Sequence, residues 1–311
     1  MFTLRQYLLA LLDSRGLTRT LGEIDVCRDE QGRPCFSAGN SAAVFRIRLG
    51  GRIRSLRCFL RPMRHLKEIY GQRLLEKELY LHTSPETGVW VDTVLGDWIE
   101  GSTLHETVAQ AAALRDRECL QILVRLFDRL ALALVTDDRA HGDLKPENII
   151  VGDDGTLCPI DFDASYLPAF AGEISPELGT AAYQHPARTA ADFDERIDDY
   201  PAALISTALH ALAENPTLWD RYGSSDGLLY TPQRIASDPA YRETLALFEK
   251  RGMAVQYRIA QLLTAPTLRL FGLAELLAEA VREKPAARSG TEAETPELFV
   301  ENGRWGYLTA Q

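Results

Sequence analysis

The chain has 311 residues, 46% of them hydrophobic and 25% charged, which is the composition of a folded globular protein long enough for a large core or two lobes. Its formal net charge of −10 disfavours a nucleic-acid partner held on a broadly basic surface. The five cysteines (Cys27, Cys35, Cys58, Cys119, Cys158) have no metal-ligand spacing and read as reduced, small hydrophobes of a cytoplasmic protein.

The first twelve residues hold Arg5 and the run Leu8-Leu9-Ala10-Leu11-Leu12. The run is short for a signal peptide and lacks a small-residue cleavage site, so it reads as an amphipathic helix packing on the next domain. The pattern predicts a helix over 3–16, stopped by Gly16. From Thr18 to Phe59 it turns to strands: a hairpin loop at Asp29 to Pro34, a strand–turn–strand from Phe36 to Ile47, a turn at Gly50-Gly51 and a strand from Arg54 to Leu60. Alternation on that last strand puts Ser55, Arg57 and Phe59 on one face. Leu66 to Leu81 has helical periodicity, and Val91 to Ile99 reads as a strand. Ser102 to Glu106 is an N-cap with a capping box from Thr103 to Glu106. Residues 116–138 form one long helix, apolar on most sides and expected at the centre of a helical lobe. Its run from Leu120 to Val135 is broken by Arg125, Asp128 and Arg129, so no membrane insertion is expected.

The stretch His141-Gly142-Asp143-Leu144-Lys145-Pro146-Glu147-Asn148 leads into the apolar run Ile149-Ile150-Val151. Gly152-Asp153-Asp154-Gly155 is a turn signal, and Thr156 to Ile160 returns as a second strand. Such a hairpin holds its ends side by side, which brings Asp143 and Asn148 close to Asp161. Two carboxylates and an amide oxygen in one small space suit Mg²⁺, which takes one or two carboxylates together with phosphate oxygens. Lys145 adds a cation for a phosphate.

The two strings, His-Gly-Asp-Leu-Lys-Pro-Glu-Asn and Asp161-Phe162-Asp163, resemble the catalytic loop and metal loop of the protein-kinase-like superfamily. Gly179-Thr180-Ala181-Ala182-Tyr183-Gln184-His185-Pro186 resembles the end of a protein-kinase activation segment. The resemblance implies an α+β bilobal fold, with a small antiparallel β-sheet N-lobe and a mainly helical C-lobe. It implies ATP and Mg²⁺ as cofactors, Asp143 as the base for the attacking hydroxyl, Lys145 on the γ-phosphate, and Asn148 and Asp161 on the metal. It further implies a phosphate loop at Gly39, Asn40 and Ser41, the phosphate-gripping position at Arg57, and a hinge in which Asp97 and Ile99 offer backbone groups to adenine. Asp198 would tie down the catalytic loop, with a plain N-cap as the simpler reading. Glu76 stands at the right distance from Arg57 for the partner glutamate but at the edge of the apolar stripe, and it reads as a solvated helix residue.

The departures from the family pattern are specific. Only the middle glycine of the phosphate loop is present, as Gly39. Arg57 stands for a lysine, and the two are not interchangeable. Gly142 replaces the arginine that reads a phosphorylated loop, so activity independent of loop phosphorylation is expected. Ala187 replaces a bracing glutamate, and Asp163 a glycine. Three functions follow: phosphoryl transfer to a protein hydroxyl by a bacterial serine/threonine-kinase-like enzyme, a pseudokinase scaffold for a protein partner, or a small-molecule phosphotransferase. The chain is read as a helix at 1–17, an N-lobe at 18–99, a C-lobe at 100–283, a linker at 284–296 and a hairpin at 297–311. The hairpin, Asn302-Gly303-Arg304-Trp305-Gly306-Tyr307, resembles one unit of a Trp-Gly repeat.

Overall fold

The computed structural model describes residues 1–282 and, beyond them, the backbone of Leu298–Phe299 and Gly306–Tyr307. Within these residues Met1–Ile99 form one compact unit and the residues from Glu100 onward another. The fold is α+β: an antiparallel sheet dominates the first unit and helices the second.

The first unit opens with helix α1 (Leu4–Leu12), shorter than the expected 3–16. Thr3 and Gln6 close it reciprocally as a capping box, which satisfies two of the backbone N–H groups a helix start leaves open. Its buried side, Tyr7, Ala10 and Leu11, packs on the sheet of its own unit. That sheet contains β1 (Asp25–Val26), β2 (Phe36–Ala38), β3 (Ala42–Leu49) and β4 (Arg52–Phe59). Two later strands, β5 (Leu74–His82) and β6 (Gly88–Asp97), complete it in the order β1-β3-β4-β6-β5, with β2 paired to β3. The Gly50-Gly51 turn joins β3 to β4 with φ of +56° and +80°, the left-handed pair that matches the twist of a hairpin. Phe45, Ile47, Leu56, Cys58, Leu79 and Leu81 line the face under α1. A second, smaller cluster holds Phe59, Tyr70 and Val94 with Leu66 and Ile69.

The predicted helix over Leu66 to Leu81 is corrected. Only α2 (Leu66–Tyr70) is helical; Gly71 follows at φ +51°, ψ −127°, a backbone that an L side chain resists, and the chain turns into β5. A bulge between Leu75 and Leu79, with Lys77 at φ +50°, re-registers β5 against β6 so that Leu79 and Leu81 face the core. Glu76 therefore lies exposed on a strand. Glu78, 1% exposed, accepts hydrogen bonds from the backbone N–H groups of Arg19, Thr20 and Leu21 and from the Thr20 hydroxyl.

In the second unit a short sheet, β7 (Gly101–Thr103), β8 (Ile149–Gly152) and β9 (Leu157–Pro159), accompanies the helices. The Thr103–Glu106 capping box opens α3 (Leu104–Leu114) as expected. The long helix is α4 (Arg117–Thr136), N-capped by Asp116. Its buried stripe, including Leu120, Leu123, Phe127, Leu130 and Leu134, is narrower than predicted, and Ile122 is exposed. Asp128 is buried in that stripe, where it accepts from Ser206 Oγ at 2.6 Å and pairs with His210 Nε2 at 2.8 Å. Both partners lie on α5 (Asp199–Glu214), so a polar clamp joins the two central helices. The unit continues with α6 (Leu218–Tyr222), α7 (Pro239–Arg251), α8 (Ala254–Leu262) and α9 (Leu273–Arg282). Among the described residues no helix is long and apolar enough to cross a membrane.

Beyond α9, Leu298 pairs with Tyr307 and Phe299 with Gly306 as two short antiparallel strands, β10 (Leu298–Phe299) and β11 (Gly306–Tyr307). The linker over 284–296, the Asn302-Gly303 turn and Trp305 lie outside the described residues.

Candidate active site

The β8–β9 hairpin forms as the sequence predicts, with Ile149 opposite Pro159 and Val151 opposite Leu157. Its closing bond, Ile160 N–H to the Asn148 carbonyl at 2.8 Å, places Asp161 one residue beyond the pairing. The His141 ring also bonds the Ile160 carbonyl from Nε2 at 2.7 Å and packs on Phe162 with ring centroids 5.0 Å apart. The backbone on both sides of Asp161 is thereby pinned. Asp161 itself has φ +66°, ψ +65°, a left-handed conformation that costs a non-glycine residue energy and that clusters at functional sites.

Asp143, Lys145 and Asn148 are brought together. Lys145 Nζ stands 3.3 Å from Asp143 Oδ2. Asn148 Nδ2 donates to the Asp143 carbonyl at 2.9 Å and to its Oδ2 at 3.2 Å. Both bonds use the amide nitrogen, which leaves the amide oxygen as an acceptor. Asp143 Oδ1 accepts from the backbone N–H of Thr180 at 2.6 Å, and Lys145 Nζ donates to Thr180 Oγ1 at 2.8 Å. Burial by itself raises the Asp143 pKa; the Lys145 ammonium and the Thr180 hydrogen bonds outweigh it and hold the carboxyl below the usual carboxylate range. At neutral pH Asp143 is an ionised acceptor locked between a cation and an amide.

Thr180, in the Gly179-Thr180 string of the activation-segment resemblance, joins these candidates through its contacts with Asp143 and Lys145. Gly179 before it has φ +72°, and a Cβ there would meet Gln184 Nε2 and the Gly142 carbonyl at 2.8 Å. Gly142 is constrained more tightly: its φ is +80°, and a Cβ would lie 2.1 Å from the Ala164 carbonyl oxygen. The glycine at that position is imposed by the loop.

Asp198 ties down the loop. The backbone N–H groups of His141 and Gly142 both donate to its carboxylate, the second at 3.0 Å. It is fully buried, and burial pushes its pKa up against those two bonds. Asp199 beside it accepts from Leu270 N–H at 3.1 Å, and burial pushes it up to about 7. The segment end that lacks the bracing glutamate, at Ala187, is held otherwise. His185 Nε2 bonds the Ala265 carbonyl at 3.0 Å, its Nδ1 accepts from Ala187 N–H at 3.1 Å, and its ring meets Tyr200 edge-on at 5.1 Å.

The candidate residues of the first unit are arranged more loosely. Gly39 and Asn40 are exposed in the β2–β3 turn, and Ser41, just before β3, is buried. The Gly39 N–H donates to the Ala42 carbonyl at 2.9 Å, an internal use of a group expected to face phosphate. A Cβ at Gly39 would meet nothing nearer than 4.0 Å, so this turn does not require glycine. Arg57 is half-buried in the middle of β4, opposite Val44 and Val94, its guanidinium 6.0 Å from the Phe59 ring. The predicted face of Ser55, Arg57 and Phe59 stands, since Leu56 and Cys58 turn into the other core. Asp97 ends β6, where its carbonyl accepts from Ser55 Oγ at 3.0 Å and its carboxylate pairs with Arg54 at 3.3 Å. Ile99 lies two residues beyond that strand.

Among the described residues no three His, Cys, Asp or Glu side chains converge as metal ligands. An Asn–Asp pair completed by phosphate oxygens and water would not form such a group.

No family model matches the chain. It is 28% identical over 172 residues to CBL-interacting protein kinase 17 of Oryza sativa subsp. japonica, covering 52% of this chain and 35% of that protein. It is also 28% identical over 219 residues to serine/threonine-protein kinase PknL of Mycobacterium tuberculosis, covering 65% of this chain and 52% of that protein. The same figures hold for PknL of Mycobacterium bovis. The chain spans about half, or less, of the length of these relatives. The similarity is weak and points to the protein-kinase-like superfamily at the level of phosphoryl transfer.

Proposed function

We propose that the chain transfers a phosphoryl group from ATP to a hydroxyl of a protein substrate, with Asp143 as the acceptor of the hydroxyl proton. The observation that carries this reading is the constellation of Asp143, Lys145, Asn148 and Thr180. An ionised carboxylate accepts a hydrogen bond from the attacking hydroxyl and orients it, while the Lys145 ammonium, 3.3 Å away, offers charge to the transferred group. Thr180, on the activation-segment-like stretch, touches both residues, and this contact favours a protein acceptor over a small molecule.

The donor set fits Mg²⁺. Asn148 keeps its amide oxygen for a cation, Asp161 contributes a carboxylate from a pinned, left-handed backbone, and hard oxygens of this type suit that ion. When bound, the metal would neutralise charge on the phosphates. On the first unit, Arg57 would meet the nucleotide phosphates, with Gly39, Asn40 and Ser41 on the β2–β3 turn and Asp97 and Ile99 toward the base. A second reading, a nucleotide-binding scaffold for a protein partner, draws on the internal use of the Gly39 amide and on Glu76 lying on a strand.

Calorimetric titration of ATP, with and without Mg²⁺, on wild type and Asp161→Ala tests the metal site, and a transfer assay on Asp143→Asn tests the chemistry. Expected are Mg²⁺-dependent binding that Asp161→Ala removes, and an Asp143→Asn protein that binds ATP within about twofold of wild type yet loses transfer by about a thousandfold. Equal transfer by Asp143→Asn would sink the enzyme reading. ATP binding in wild type without any transfer would favour the scaffold.

A further inference from the structure

Arg188 closes the segment that begins at Gly179, and it is 8% exposed. Its Nη1 donates to the Gly142 carbonyl at 3.0 Å, one residue before Asp143, and to Gln184 Oε1. The Gln184 amide lies over Gly179: a Cβ on that glycine would sit 2.8 Å from Gln184 Nε2, 2.8 Å from the Gly142 carbonyl and 3.0 Å from Asp143 Oδ1. The next residue, Thr180, delivers its N–H to that same Asp143 oxygen. The guanidinium therefore joins the catalytic loop to the segment at the point where the two exchange the Thr180–Asp143 hydrogen bond.

We propose that Arg188 is a positioning residue, whose buried guanidinium holds the 179–188 segment against the catalytic loop and thereby fixes Asp143 with no phosphate on the segment. This deepens the reading of Asp143 given above and rests on it. Position 142, where the resemblance expects a cation, is a glycine that the loop geometry imposes, and the cation comes from the segment itself. Among the carboxylates that act on its charge, Asp198 and Asp143 act most strongly. The arrangement is poor as a stability device: Arg188 Nε and Nη2 are buried and find no hydrogen-bond partner among the described residues, and buried donors left unpaired cost more than they return. What the two bonds supply is orientation, since one Nη1 amino group held between the Gly142 carbonyl and Gln184 Oε1 fixes those two acceptors relative to each other.

Amide hydrogen exchange on the full chain reads the latch directly, and steady-state kinetics read its consequence. In Arg188→Met, which keeps an unbranched stem and removes the Nη1 donor, exchange at Thr180 rises by about tenfold or more while the amides of α4 keep their wild-type rates. Arg188→Lys, which keeps the charge and its donors on a shorter, non-planar head, restores part of the protection. The transfer rate kcat falls by about tenfold with the KM for ATP unchanged, and phosphatase treatment of wild type leaves both Thr180 exchange and kcat where they were. A folded Arg188→Met protein with wild-type exchange at Thr180 overturns the proposal, as does a wild type whose Thr180 protection is lost on phosphatase treatment. If Arg188→Met does not fold, Gln184→Leu removes one of the two acceptors and makes the same test, with a smaller rise expected and no rise overturning it. A wild type without transfer activity would fail the reading of Asp143, whereas Thr180 exchange would still decide whether Arg188 is the latch.

Discussion

Residues 141–163 and residues 66–82 make an instructive pair. In each the sequence resembles a kinase element that presents charged side chains, and only the first forms as expected. Asp143, Lys145 and Asn148 lie within six positions of one another, on a loop whose exit is set by a two-stranded hairpin. Neighbours in sequence become neighbours in space with little left to tertiary choice. In 66–82 the leucines at 66, 74, 75, 79 and 81 satisfy a helical and an alternating period about equally, so the period does not decide. The deciding interactions are distant: Glu78 is engaged by backbone groups 57 to 59 residues away, and β5 is registered on β6 across a bulge. Spacing predicts a site when the chemistry is local, and fails where pairing across the sheet chooses the backbone.

The largest effect that would break the contrast is at Gly142. If the catalytic loop is as rigid as its contacts imply, Gly142→Ala forces a Cβ toward the Ala164 carbonyl from a left-handed backbone. A loss of about 2 to 4 kcal/mol in urea unfolding is expected. Unchanged stability would mean that the loop has room to move and that the compactness of the site is not fixed by it.

A smaller effect comes from the charges this compact unit buries. Asp199 has its carboxyl pushed up to about 7 from an ordinary 3.8, chiefly by burial. The folded state then holds a proton that the unfolded state releases, so stability falls as pH rises from about 4 to about 7 and levels off above. Asp199→Asn keeps an acceptor for Leu270 N–H and cannot ionise. Its unfolding free energy should gain on wild type between about pH 5 and pH 7, by on the order of 2 kcal/mol. Parallel pH profiles for the two proteins would show that Asp199 is solvated.

Much of the fold was legible from short-range signals: the Thr103–Glu106 capping box, the Gly50-Gly51 turn, the alternation of Ser55, Arg57 and Phe59, and the β8–β9 hairpin. The assignment of Asp198 to the catalytic loop rested on resemblance, and the two backbone N–H groups it accepts bear it out. What stayed hidden depends on contacts between segments distant in sequence. Arg188 reaches back 46 residues to the Gly142 carbonyl, and His185 reaches forward 80 to Ala265. Neither has a periodicity or a local motif of its own. The apolar character of α4 read as burial on most sides, because composition does not say which face a neighbour covers; Asp128 in the buried stripe and Ile122 outside it show where the neighbour stands.

The smallest predicted effect is the sharpest test of the contrast, because it asks whether the first unit keeps its strand in the working protein. Glu76 is exposed on β5, beside the bulge at Lys77 whose N–H is held by Asp92 Oδ1 at 2.7 Å. On this backbone its side chain is exposed and has no part in the site, and Glu76→Ala should leave ATP affinity within about 1.5-fold of wild type. Arg57 lies mid-strand on β4, and Arg57→Ala should weaken ATP by about tenfold, about 1.4 kcal/mol. Affinity measured on the two single variants and the double separates the cases. A Glu76→Ala loss that matches Arg57→Ala, with no further loss in the double, would mean that the two act as one pair and that residues 71–82 abandon the strand when nucleotide binds. Independent effects, one near tenfold and one near none, keep β5 a strand and leave the phosphates to arginine without a glutamate partner at position 76.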